Sequence, residues 1–148
     1  MRAPSSTLVV DAAVLISAVF GRSTGAIKEA QLASALITTD RVVHEARRRL
    51  ELGLKRPELL KVLDDLAIAL TIVPVAALEP LLASCEIALR DAVASRNGST
   101  RDVHVLALAC SVEADVWTAD RDFAGTGVAT WSTPNLMRRL AEAAADRG

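Results

Sequence analysis

The sequence is poor in the residues that would make it anything other than an ordinary packed domain. It has two cysteines, Cys85 and Cys110, which excludes a disulfide-stapled scaffold. Both stand among alanines and leucines and read as small buried thiols in a reducing compartment. Seven glycines and five prolines in 148 residues are too few for a collagen-like or low-complexity chain. Tyrosine is absent and tryptophan and phenylalanine occur twice each, so no row of aromatic rings offers itself for base stacking; Trp117 and Trp131 read as core or interface residues. Neither sign of charge is in excess, with 17 Lys and Arg against 18 Asp and Glu, and any contact with a polyanion must therefore be local. The apolar run from Leu8 to Phe20 is broken at Asp11, which argues against a signal peptide or a membrane span and leads to the expectation of a cytoplasmic protein. A glycine-rich phosphate loop, a dinucleotide fingerprint and a serine nucleophile elbow are also lacking. His44 and His104 have no cysteine pair or HExxH arrangement around them and read as structural or surface residues, not zinc ligands.

What remains is a composition that folds: 51% apolar and 24% charged residues, at a length that suits one domain spanning residues 1–148. Thr7 to Val10 is a short β-branched run suited to a central parallel strand, with Asp11 at its carboxyl end. A helix continues through AAVLISAVF, GRSTG breaks it, and a second amphipathic stretch follows from Ala26 to Ala33. ALITT reads as a strand, and Asp40 is placed to cap a helix carrying Val43, Ala46 and Leu50 on one apolar face. Pro57 opens a helix through Leu70, and TIVPV is a brief strand whose proline argues against a central place in the sheet. Further helices are expected over Leu78 to Ser95, from about Asp102 to Val112, and from Pro134 to about Ala144, with strands at Asp115 to Thr118 and VATW. Short apolar strands alternating with helices predict a three-layer α/β/α sandwich with a mainly parallel sheet; a mostly helical bundle is the alternative.

In such sheets functional groups gather beyond the carboxyl ends of the strands. Asp11 and Asp120 fall at two such ends, with Asp122 close behind, Glu45 on the helix after ALITT, and Asp102 at the start of the helix before the strand that delivers Asp120. In their order these motifs, VVDAAVLISA, HEARRRL, RDVHVLALA and VWTADRDF, resemble the PIN-domain family over almost the whole chain, and especially the small VapC toxin nucleases of toxin–antitoxin pairs. The resemblance implies a metal-dependent endoribonuclease with Asp11, Glu45, Asp102 and Asp120 in the catalytic site. It implies that Asp11, Asp102 and Asp120 ligate Mg²⁺ or Mn²⁺, with Glu45 acting through water or by positioning and with Thr118 and Asp122 in support. The family commonly follows its first aspartate with small polar residues, whereas Ala12 and Ala13 stand here; support for Asp11 then comes from backbone groups, Ser17 or Thr118, or is weaker than usual.

The chemistry agrees with the residue types, since hard divalent cations favour oxygen ligands and clustered carboxylates repel one another until a cation joins them. The resemblance further implies an RNA substrate, a cognate antitoxin and a homodimer. A non-toxin PIN ribonuclease of RNA processing is an alternative, as is a catalytically weak PIN-like protein that binds RNA or a regulatory partner. Arg41, Arg47, Arg48, Arg49, Lys55 and Arg56 are crowded into one stretch that reads either as a solvated helix face or as part of a phosphate-contacting rim.

Overall fold

The computed structural model describes residues 4–21, 24–83, 103–119 and 128–147. Five strands form one all-parallel sheet: β1 (Thr7–Val10), β2 (Ala35–Thr39), β3 (Thr71–Val73), β4 (Asp115–Trp117) and β5 (Thr130–Trp131), in the order β3-β2-β1-β4-β5. Leu8, Val9 and Val10 are all fully buried, so β1 is covered on both faces, as its unbroken apolar run requires. Helices α1 (Ala12–Val19), α2 (Thr24–Ala33), α3 (Asp40–Arg48), α4 (Leu60–Ala67), α5 (Val103–Ser111) and α6 (Thr133–Arg147) complete the α/β/α layers. Helix α1 packs against α3 and α4, α2 against α6, and α5 against β1, β2 and β4.

Several boundaries differ from expectation for identifiable reasons. Helix α3 is capped by Thr39, whose Oγ1 accepts from Val42 N at 3.1 Å; Asp40 is its first residue and instead accepts from Val75 N at 2.9 Å. Its buried stripe is Val42, Ala46 and Leu50 at four-residue spacing, while Val43 is only half-buried. Pro57 opens a single 3₁₀ turn (Pro57–Leu59), and α4 stops at Ala67, short of Leu70. TIV is an edge strand followed by Pro74, the position a strand-ending proline tolerates. The helix expected over Leu78 to Ser95 starts as a 3₁₀ turn (Val75–Leu78) with residues 79–83 helical, and its remainder lies outside the described residues. Cys110 is an exposed free thiol, not a buried one, because it falls on the outward side of α5; Cys85 lies outside the described residues. Trp117 and Trp131 are core residues as expected, each with its indole N–H satisfied, by Thr133 Oγ1 at 2.9 Å and by Asp115 Oδ2 at 3.0 Å.

A candidate active site at the strand-order reversal

The chain builds the sheet outward from β1 to β2 and β3, then returns to the other side of β1 with β4 and β5. Strand order therefore reverses between β1 and β4, and the crevice at two such carboxyl ends is where ligands bind in open parallel sheets. Asp11 and Thr118 stand at those two ends. The ladder runs on into them: Asp11 N donates to Trp117 O at 3.1 Å and Thr118 N to Trp131 O at 3.0 Å.

Asp11 is buried at 5% exposure and is the N-cap of α1, with Oδ1 accepting from Ala12 N at 2.7 Å. Its other oxygen, Oδ2, accepts from the Thr118 hydroxyl at 2.6 Å, a short charge-assisted bond. The two bonds fix the plane of the carboxylate. They also answer the question raised by Ala12 and Ala13: without hydroxyls after Asp11, orientation comes from a backbone amide of α1 and from Thr118 across the crevice.

In front of Asp11 lies a cleft of about 900 Å³ lined by Ala12 and Ala13 of α1, by His104 of α5, and by one long face of α3. That face carries Arg41, His44, Glu45 and Arg48, and extends through a π-helical turn (Arg49–Gly53) that adds Arg49, Leu52 and Gly53. The spacing from Arg41 through 44 and 45 to 48 and 49 is the outward stripe of a helix whose inward stripe is Val42, Ala46 and Leu50. The π turn closes with Leu54 N donating to Arg49 O at 2.7 Å, and Lys55 ends the element at φ 55, a left-handed conformation that glycine adopts more easily.

Thus Asp11 and Glu45, named from sequence, line one cleft, and Thr118 holds Asp11. Asp102, Asp120 and Asp122 lie outside the described residues. Arg47, grouped with its neighbours in the sequence, turns away from the cleft and pairs with Asp64; Arg56 pairs with Glu58 and sits 5.6 Å from the Phe20 ring centroid. Arg41 and Arg48, read from sequence as either a solvated face or a phosphate-contacting rim, line the cleft, as do His44 and His104, which were read as structural or surface residues. Their signal was available: side chains three or four positions from Glu45 on a helix share its face.

His104 is 1% exposed on the cleft floor, and its Nδ1 lies 2.8 Å from Thr39 Oγ1. Thr39 Oγ1 also accepts from Val42 N, so one hydroxyl joins the α3 cap to the His104 ring. Burial, reinforced by the positive charge of Arg41 and opposed by Asp40, pushes the His104 pKa down to about 4, so the ring is neutral near pH 7.

Among the described residues the cleft holds two carboxylates, Asp11 and Glu45, and two imidazoles, His44 and His104, and the carboxylates suit a hard divalent cation. Among the described residues no three His, Cys, Asp or Glu side chains group closely enough to hold a metal, so the fit concerns Asp11 and Glu45 as two members of an oxygen set.

The fold is similar to those of VapBC2 from Rickettsia felis bound to a DNA fragment from its promoter (13% identity, TM-score 0.67, 85% of this chain and 98% of that one) and of PAE2754 from Pyrobaculum aerophilum (21%, 0.62, 92% and 90%). It is also similar to that of a toxin–antitoxin complex from Klebsiella pneumoniae (19% identity, TM-score 0.54, 85% of this chain and 97% of that one). No functionally curated protein sequence matches the chain. The sequence model of the PIN domain matches residues 9–141, and with its parallel sheet and an aspartate at the strand-order reversal the chain belongs to the PIN-domain family.

Proposed function

We propose that this protein is a metal-dependent endoribonuclease, the toxin of a toxin–antitoxin pair, that hydrolyses RNA phosphodiester bonds in the cleft headed by Asp11. The observation that carries the reading is the setting of Asp11: a buried carboxylate at the reversal point, oriented by Thr118 and the first amide of α1, with Glu45 on the same cleft. Burying a carboxylate costs several kcal/mol unless it is paired, and this one sits where a ligand can compensate it.

In this reading Asp11, Asp102 and Asp120 hold Mg²⁺ or Mn²⁺, Glu45 positions a water, and Asp122 has an auxiliary place. When bound, the divalent ion supplies an activated water at neutral pH and positive charge against the phosphate oxygens. Thr118 keeps the Asp11 carboxylate from rotating, and the apolar core behind β1 keeps water from its rear. Among the described residues no helix is long and apolar enough to cross a membrane, which accords with the proposed cytoplasmic location.

The toxin assignment is supported by the likeness of the fold to toxin–antitoxin complexes. It brings with it a homodimer and a small antitoxin covering the acidic cleft. A second reading, a PIN-like protein that binds RNA or a partner with little catalysis, draws on Ala12 and Ala13, which bring no hydroxyl to the cleft.

Cleavage mapping on total cellular RNA, with Mg²⁺ and with a chelator, separates the two. The expected result is discrete cleavage that needs the metal and is lost in Asp102→Asn and Asp120→Asn while circular dichroism is unchanged; Asp122→Asn is milder. Absence of cleavage by the folded wild type favours the second reading. Coexpression with a neighbouring small gene, followed by light scattering and the same assay, tests homodimer and antitoxin. A stable active monomer indifferent to that neighbour removes the toxin assignment and leaves a processing nuclease.

A further inference from the structure

The cleft has two poles of opposite charge. Asp11 and Glu45 form one, and Arg41, Arg48 and Arg49, all exposed along α3 and its π turn, form the other. Glu45 lies four residues after Arg41 and three and four before Arg48 and Arg49, the spacings at which helical side chains pair. Yet among the described residues neither Glu45 nor any of these arginines has an ion-pair partner, whereas Arg47 and Arg56, off this face, are paired with Asp64 and Glu58. Three guanidinium groups are thus left without counter-charge along a concave surface. The buried His104 lines the floor of the same cleft.

Resting on the nuclease reading above, we propose that Arg41, Arg48 and Arg49 bind the phosphates flanking the scissile one, so that a single RNA strand lies along α3 with its reacting phosphate at the Asp11 pole. Arginine presents a planar fork of donors that takes two phosphate oxygens at once, which a hydrated lysine does not. Eight residues separate Arg41 from Arg49, about 12 Å along a helix. At about 3.4 Å per nucleotide in a stacked strand, that length accommodates three or four phosphates. A cleft of about 900 Å³ is of the size that encloses a short segment and not the girth of a duplex. Past Arg41 and His44 the surface continues into a smaller depression of about 430 Å³ beside Asp40 and Val75, an exit for the strand. At the other end Leu52, 60% exposed on the cleft, gives a base an apolar contact. Of the anions that satisfy arginine forks, the phosphodiester is the one on which the adjoining centre acts.

The test is the affinity of the full chain for a short, fluorescein-labelled oligoribonucleotide of mixed sequence, read by anisotropy in chelator between about 50 and about 200 mM salt. Each phosphate contact on a single strand contributes about 0.7 to the slope of log affinity against log salt, so R41A/R48A/R49A is expected to lower the slope by about 2 and to weaken binding on the order of a hundredfold at the low-salt end. Arg48→Lys keeps most of the slope, and Arg47→Ala leaves affinity and slope unchanged. Circular dichroism melts confirm that the variants are folded. A folded triple variant with wild-type affinity and slope overturns the proposal and leaves the arginines as a protein-docking face; so does an Arg47→Ala loss equal to that of Arg48→Ala. If the wild type cleaves RNA in Mg²⁺ without arginine dependence, the nuclease reading stands and this one falls. Arginine-dependent binding with no cleavage sinks the nuclease reading and leaves the phosphate-binding face.

Discussion

Two aspartates are buried in this sheet, at opposite ends of neighbouring strands, and their surroundings differ. Asp115 opens β4 opposite Leu8 of β1, at the amino end, where its Oδ2 accepts from the Trp131 indole at 3.0 Å and from Ser5 N at 3.0 Å. Those bonds tie Ser5 and β5 to β4. Asp11 follows β1 at the carboxyl end, where the chain reverses strand order, and its partners orient it toward a cleft that also holds a second carboxylate. Burial of a charge is therefore no mark of a site by itself. Both aspartates bond across distant segments, and what sets Asp11 apart is that it lines a cavity together with a second carboxylate.

The comparison breaks most sharply on activity. Asp11→Asn keeps the shape and the Ala12 N–H contact while removing the anion, and cleavage is expected to fall at least about a hundredfold with the melting temperature within a few degrees of wild type. Comparable losses of activity in Asp11→Asn and Asp115→Asn, each normalised to folded protein, would erase the distinction. Asp115→Ala is expected to do the reverse, costing about 2–4 kcal/mol in denaturant unfolding because an indole and an amide donor lose a charged acceptor, with cleavage per folded molecule preserved.

Thr118 joins the carboxyl ends of β4 and β1, since it follows β4 and donates to Asp11. Thr118→Val is isosteric, and removing the 2.6 Å bond should lower cleavage about tenfold to a hundredfold, with a metal requirement shifted to higher concentration and a stability loss of about 1–2 kcal/mol. Unchanged metal dependence would mean that the Thr118 hydroxyl does not set the orientation of the carboxylate.

His104 adds a pH test. Its folded pKa is lowered to about 4 from an ordinary 6.5, so between these values the unfolded chain binds more protons than the folded one. Its contribution is fully present above about pH 6.5, declines as pH falls toward about 4, and totals on the order of 3 kcal/mol. Urea midpoints across this range should flatten in His104→Gln relative to wild type; parallel curves would show that the ring titrates normally. The smallest effect is expected for Arg47→Ala, whose half-exposed pair with Asp64 contributes at most about 0.5 kcal/mol to unfolding free energy.

Particular residues show what reading the chain alone reaches. β1 and β2 fall on Thr7–Val10 and Ala35–Thr39, as their unbroken apolar and β-branched runs require. Asp11 was legible as a strand-end acid, and Thr118 as a donor to it. Asp40 was misread as the cap because Thr and Asp compete for that role on equal local terms; Thr39 holds it because its hydroxyl also meets His104 from α5. Arg47 and Arg48 are neighbours in sequence and part company in space by the 100° turn of a helix per residue, which sends one to Asp64 and the other to the cleft.

The amino-acid sequence by itself determined the alternation of strands and helices, the apolar stripe of each, and the positions of the acids at strand ends, because period and burial are local properties of a chain. Only the tertiary structure decided which of the two buried acids lines a cleft, that Thr118 reaches Asp11 across 107 residues, that His104 packs on Thr39, and that Asp11 and Glu45 share a cleft. Those are relations between distant segments, set by strand order and helix packing, and no spacing along the chain encodes them.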